Sequence, residues 1–237
     1  MKQLVLAAVV VFLAGPAGHA KAELIVNGSF EDPVLAPGTF ALFTPGQSLG
    51  GAWTVVGNPG TNIALGQTLY GEPFNNTSRF NAQDGFNSID LSGSFNQGPS
   101  AGVEQAVATI SGQRYTLSFY AGRVTPDNGP AIPYALPATV DLSIDGGPRI
   151  SFTNSDITNG MINWRQFSHT FTATSDHTTI ALLNGEPASD FAAMLDNVSL
   201  VESPTAVPEP SSLALLGCGG TLLLGYGWRQ ARRLIRE

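Results

Sequence analysis

The sequence predicts an all-β fold, an antiparallel β-sandwich of the jelly-roll kind. Three observations carry that prediction. Short stretches between residues 23 and 202 alternate apolar and polar side chains, which is the period of a half-buried strand. Turn residues separate them at the spacing of a sandwich, with 27 glycines and 16 prolines in the 237-residue chain. No stretch in this span holds a long helical period.

The strands run in order along the chain. Leu24–Val26, Ala52–Val56, Phe86–Leu91 and Gly102–Ala108 are the early candidates. In Gln113–Gly122, Tyr115, Leu117, Phe119 and Ala121 share one face. Ala138–Asp145 does the same with Val140, Leu142 and Ile144, then runs through Asp145-Gly146-Gly147 into RISFT, which reads as a hairpin. Arg165–Ala173 gathers Phe167, His169, Phe171 and Ala173. Thr178–Leu183 and Ala193–Val201 complete nine or ten strands. The stretch Arg123–Pro137, with four prolines, is too proline-rich for a central strand and reads as a long excursion.

The two ends are of another kind. Residues 1–22 have Lys2, an apolar run Leu4–Leu13, the breakers Gly15 and Pro16, and a small-x-small site at Ala20-Lys21-Ala22. That is the layout of a signal peptide, with a short helix as its core. Residues 203–212, SPTAVPEPSS, form a proline-rich linker. Residues 213–228 are an apolar run of 16, short for a transmembrane helix, and residues 229–237 carry four arginines that belong on the cytoplasmic side.

Trimming both ends changes the charge. Residues 23–206 hold five arginines, no lysine and 16 acidic residues, a net of −11 against −7 for the whole chain. Such a surface repels nucleic acid. The single cysteine, Cys218, lies in the apolar tail, so the exported part has neither a disulfide nor a thiol nucleophile. It contains no G-x-S-x-G elbow and no H-E-x-x-H, and only His169 and His177 as imidazoles. His169 falls on the apolar face of its strand. The expectation is a protein that is not an enzyme.

Sugars are held by stacking on aromatic faces and by planar polar side chains. Tyr70, Phe74, Asn76 and Arg79 in YGEPFNNTSR, with Trp164 at a strand start, are the ligand-binding candidates. Trp53 and Trp164 each have core packing as the alternative role. Glu31 and Asp196 lie at opposite ends of the domain sequence, yet first and last strands of a jelly roll are often neighbours. Two carboxylates so placed repel unless a cation lies between them, and a structural calcium suits their hard oxygens. The alternative is that Glu31 caps a turn and Asp196 binds backbone amides.

Asn27-Gly28-Ser29-Phe30-Glu31, Trp53 and Asp196-Asn197-Val198-Ser199-Leu200 resemble the bookends of secreted galactose-binding-like sandwiches. That group includes carbohydrate-binding modules, in which a structural calcium often lies near these bookends. It also includes a domain-of-unknown-function family shared with plant cell-wall proteins. GFNSIDLSG and AGVEQAVATISGQRYTLSFYAG are similar to the latter. The resemblance implies polysaccharide binding. At the C-terminus, Val207-Pro208-Glu209-Pro210, the apolar run and the basic cluster resemble the PEP-CTERM sorting signal of Gram-negative bacteria. This implies an exosortase as processing partner, passage through the inner membrane, and delivery to the cell envelope or exopolysaccharide matrix. Against it stand a structural or adhesive protein without a sugar site and, further off, a polysaccharide hydrolase or lyase.

Overall fold

In the computed structural model, described residues are 22–69, 80–94, 101–125, 134, 136–158, 160–187 and 192–203. The chain divides into two units, Met1–Glu202 and Ser203–Glu237. The predicted signal and tail helices, the linker and the sorting motif lie outside the described residues. Among those described, no helix is long and apolar enough to cross a membrane.

Among the described residues twelve strands build two six-stranded sheets, every ladder antiparallel. They are β1 (Phe40–Phe43), β2 (Ser48–Leu49), β3 (Trp53–Gly57), β4 (Ile63–Gln67), β5 (Asn87–Asp90) and β6 (Ala101–Ala108), then β7 (Arg114–Val124), β8 (Ala138–Ile144), β9 (Ile150–Asn154), β10 (Ile162–Thr172), β11 (His177–Asn184) and β12 (Ala193–Glu202). One sheet runs β1-β4-β5-β12-β7-β10 and the other β2-β3-β6-β11-β8-β9.

The alternation read from the sequence sets the inner faces. Tyr115, Leu117, Phe119 and Ala121 of β7 are buried, as are Val140 and Leu142 of β8. Together with Trp53, Ile63, Leu65, Ile89, Ile180 and Leu195 they fill one core between the sheets. The β8–β9 hairpin turns at Asp145 and Gly146, both with positive φ (50° and 70°), the requirement of a two-residue hairpin turn. His169 is half-buried against Phe152, ring centroids 6.4 Å apart, as its place on the apolar face predicts.

Two expectations need correction. Leu24–Val26 is not a strand. The Leu24 amide donates to the Leu200 carbonyl (3.0 Å), but Val26 bonds through its N–H and C=O to the Gln105 side-chain amide, both at 2.9 Å. That amide takes the place of a ladder strand. The excursion placed at Arg123–Pro137 also starts later, because β7 continues through Val124.

The amino-terminal segment closes onto β12. The Val198 amide donates to the Gly28 carbonyl (2.9 Å), and a Cβ on Gly28 would stand 2.0 Å from the Val198 carbonyl oxygen. No side chain fits there. Gly28→Ala is therefore expected to cost about 2–4 kcal/mol, read as a lower midpoint in chemical denaturation. Gly51→Ala, at positive φ (68°) but with open space around its Cβ position, carries backbone strain without a clash and so separates the two effects.

Candidate functional site

The two sequence bookends meet. Trp53 is fully buried, donates its indole N–H to the Asn27 carbonyl (3.0 Å) and lies 5.5 Å from the Phe30 ring. Trp53 is thus a core residue. Asn27 and Phe30 both hold positive φ, 55° and 54°. The Asn27 side chain offsets that strain by bonding the backbone of Asp32, as donor to its carbonyl (2.6 Å) and acceptor from its amide (3.1 Å). The same turn delivers Glu31 to the loop that precedes β5.

That loop, residues 83–87, is held at both ends by carboxylates. Glu31 Oε1 accepts the amides of Phe86 and Asn87, each at 2.8 Å. Asp196 Oδ2 accepts those of Gln83 (2.8 Å) and Asp84 (3.0 Å), and its Oδ1 that of Asn197 (2.7 Å). Asn197 sits at φ 48° where β12 bulges, and its side chain donates to Gln83 Oε1 (2.8 Å). Ser29 donates to Asp84 (2.6 Å). Asp196 is wholly buried, and burial raises its pKa to about 7 against the pull of the three amides.

Beside the clamp lies a groove of about 460 Å³, within the size range of small-molecule sites. The strand register builds its polar end. Gln67 of β4 and Asn87 of β5 are direct cross-strand partners, so their amides lie side by side. Gln67 Oε1 accepts the amides of Gly38 and Leu69, both at 2.8 Å. Asn87 Nδ2 donates to the carbonyls of Phe30 (3.1 Å) and Pro33 (3.3 Å). These bonds fix both amide orientations. Among the described residues they leave one donor, Gln67 Nε2, and one acceptor, Asn87 Oδ1, without a protein hydrogen bond; Glu31 Oε2 is a second such acceptor. Both amide residues line the groove although only 5% and 2% exposed.

Phe86 supplies the apolar end. Its backbone is pinned by Glu31 at the N–H and by the Thr68 amide at the carbonyl (2.7 Å). Its ring is nevertheless 65% exposed, beside Val34, Leu35, Pro37 and Leu69. An open aromatic face next to paired donor and acceptor groups matches a pyranose, which has an apolar face and a hydroxyl rim.

The predicted site residues fare differently. Tyr70, Phe74, Asn76 and Arg79 lie outside the described residues, as do Val207, Pro208, Glu209 and Pro210. Trp164 is half-buried. Its indole N–H donates to the Asn81 carbonyl (2.9 Å), and it packs on a second apolar cluster of Phe80, Val124, Tyr134, Ile162 and Met194. Glu31 and Asp196 come to one loop, and each meets backbone amides. Among the described residues no group of three or more His, Cys, Asp or Glu gathers as metal ligands. Phe86, Gln67 and Asn87 escape sequence reasoning. Phe86 reads as the start of a strand, and the amide pair exists only through the β4–β5 register.

Fold and site together define an antiparallel β-sandwich with an open groove beside its carboxylate clamp. Residues 23–201 match the family described as protein of unknown function DUF642, and the chain belongs to that family. Residues 206–233 match the PEP-CTERM protein-sorting motif. No curated protein matches the sequence. Among solved structures the chain is similar to TmCBM61 in complex with β-1,4-galactotriose (14% identity, 77% of this chain and 99% of that one, TM-score 0.44). It is also similar to the CBM22-1 xylan-binding domain of Paenibacillus barcinonensis Xyn10C (12% identity, 73% and 99%, TM-score 0.40).

The Asp196 carboxyl makes stability depend on pH. Its pKa is raised above the ordinary 3.8, so the folded state holds its proton longer than the unfolded chain. Its contribution is fully present below that value and is lost as pH rises through about 7. Denaturation of wild type and Asp196→Asn across this range should show the wild type losing a few kcal/mol relative to the variant. Parallel curves would refute the assignment.

Proposed function

We propose that this protein is an exported, non-enzymatic glycan-binding protein, delivered to the cell envelope or matrix through its sorting tail and processed there by an exosortase. The observation that carries the binding reading is the groove, where the exposed Phe86 ring stands beside the buried Gln67–Asn87 amide pair. Gln67 Nε2 donates to a sugar hydroxyl, and Asn87 Oδ1 and Glu31 Oε2 accept from one. Phe86 stacks on the ring.

The full chain is expected to bind neutral oligosaccharides in titration calorimetry. Phe86→Ala, an exposed position, should weaken binding about tenfold with an unchanged melting temperature. Gln67→Glu keeps the oxygen that holds Gly38 and Leu69 but turns the free donor into an acceptor, and should weaken binding similarly. Full affinity in both variants would favour a structural or adhesive role for the same fold.

For calcium, the clamp supports a reading in which backbone amides rather than a cation hold Glu31 Oε1 and Asp196 Oδ2, while Glu31 Oε2 stays open. Glu31 Oε1 and Asp196 Oδ2 each accept two amides, which occupies both lone pairs of each oxygen. The melting temperature is expected to be the same in calcium and in excess chelator. A fall on chelation would restore calcium between Glu31 and Asp196.

A further inference from the structure

On the glycan-binding reading, on which this inference rests, the walls of the groove define the chemistry of the ligand. The polar end offers one donor and two acceptors. Beyond it Val34, Leu35, Pro37 and Leu69 flank the Phe86 ring, with Thr68, whose hydroxyl oxygen accepts the Ala82 amide (3.1 Å). Val34 and Leu69 project strongly, 88% and 64% exposed. A fully hydroxylated sugar uses the ring and the amides but turns hydroxyls toward these aliphatic walls, where they lose water and gain no partner. A methyl group placed there buries against carbon instead.

Charge narrows the class further. Among the described residues no lining side chain is basic, and Glu31 puts a carboxylate at the groove. The exported part carries −11 in all. A uronate or sulfated sugar would enter against this field.

We infer that the groove selects a neutral sugar bearing an apolar substituent, an O-acetyl group or the methyl of a 6-deoxy sugar. The ring lies on Phe86, its hydroxyls on Gln67 and Asn87, and the substituent against Val34 and Leu69.

Matched probes test this on the full chain. The first pair is an O-acetylated xylo-oligosaccharide and the same material after mild alkaline deacetylation. The second is methyl β-D-fucoside and methyl β-D-galactoside, which differ only at C6. An oligogalacturonide serves as the anionic probe. The methyl-bearing member of at least one pair is expected to bind about tenfold more tightly, the scale of a methyl group in an apolar pocket. Which pair shows the difference identifies the source of the methyl. Val34→Ser and Leu69→Ser, at exposed positions, should remove the preference within the pair. Equal affinity within both pairs overturns this inference and leaves the groove as a general sugar site. Tighter binding of oligogalacturonide overturns the neutral class. Binding of no probe by the folded chain sinks the binding reading along with the inference.

Discussion

A fully buried carboxylate bonded only to backbone amides organises one end of this sandwich. Asp196 lies on β12, near the centre of its sheet, and ties down the amides of Gln83 and Asp84. Placing an anion there is unfavourable, and the three N–H donors offset only part of the desolvation, which is why its pKa stays high. The loop it holds has no ladder of its own. Its shape comes from Asp196 on one side and Glu31 on the other. Phe86 depends on both: an unrestrained loop would fold that ring back onto apolar surface, whereas here its N–H and C=O are fixed and the ring stays out.

The same geometry explains why the ends of the domain are bound so closely. Gly28 lies against the β12 backbone with no room for a side chain, and Glu23 takes the Leu200 amide at 2.7 Å. The N-terminal segment therefore seals β12 before the chain turns to deliver Glu31. Beyond Glu202 the chain leaves the sheet and enters the sorting tail. A protein held by that tail would take tension through β12, a strand paired on one side with β5 and on the other with β7. Pulling it demands breaking the long β7 ladder together with the short one to β5.

Much of this was legible in the sequence, for definite reasons. Strands whose two faces differ in polarity announced themselves: β11 and most of β7 alternate cleanly because one face meets the core and the other is more open, while β8 and β12 also carry stretches buried on both faces. β1, β2 and β4 did not. FALF of β1 is an edge segment with Phe40 and Leu42 nearly half exposed, so polarity does not mark its faces. β2 has only two residues, and IALGQ in β4 interrupts its pattern with Ala64 and Gly66. The meeting of Glu31 with Asp196 at one loop was readable from the bookend motifs. The groove was not, because it is a product of register. Gln67 and Asn87 are twenty residues apart in sequence, and nothing local to either says that β4 and β5 pair them face to face.

That difference also separates the two remaining roles for the protein. A purely structural sandwich gains nothing from keeping a phenyl ring in water beside an amide donor and an amide acceptor that no described residue bonds. Gln67 could have been apolar if its only task were filling space; instead it fixes Gly38 and Leu69 with its oxygen and keeps its nitrogen for the groove. Asn87 is its mirror, holding Phe30 and Pro33 with its nitrogen and keeping its oxygen. Each residue commits one half of its amide to the walls and presents the complementary half to whatever enters. A rigid donor–acceptor pair beside an exposed ring is the arrangement that recognises adjacent hydroxyls on an apolar sugar face. The groove is thus the part of the described fold that favours the binding reading over bare structure.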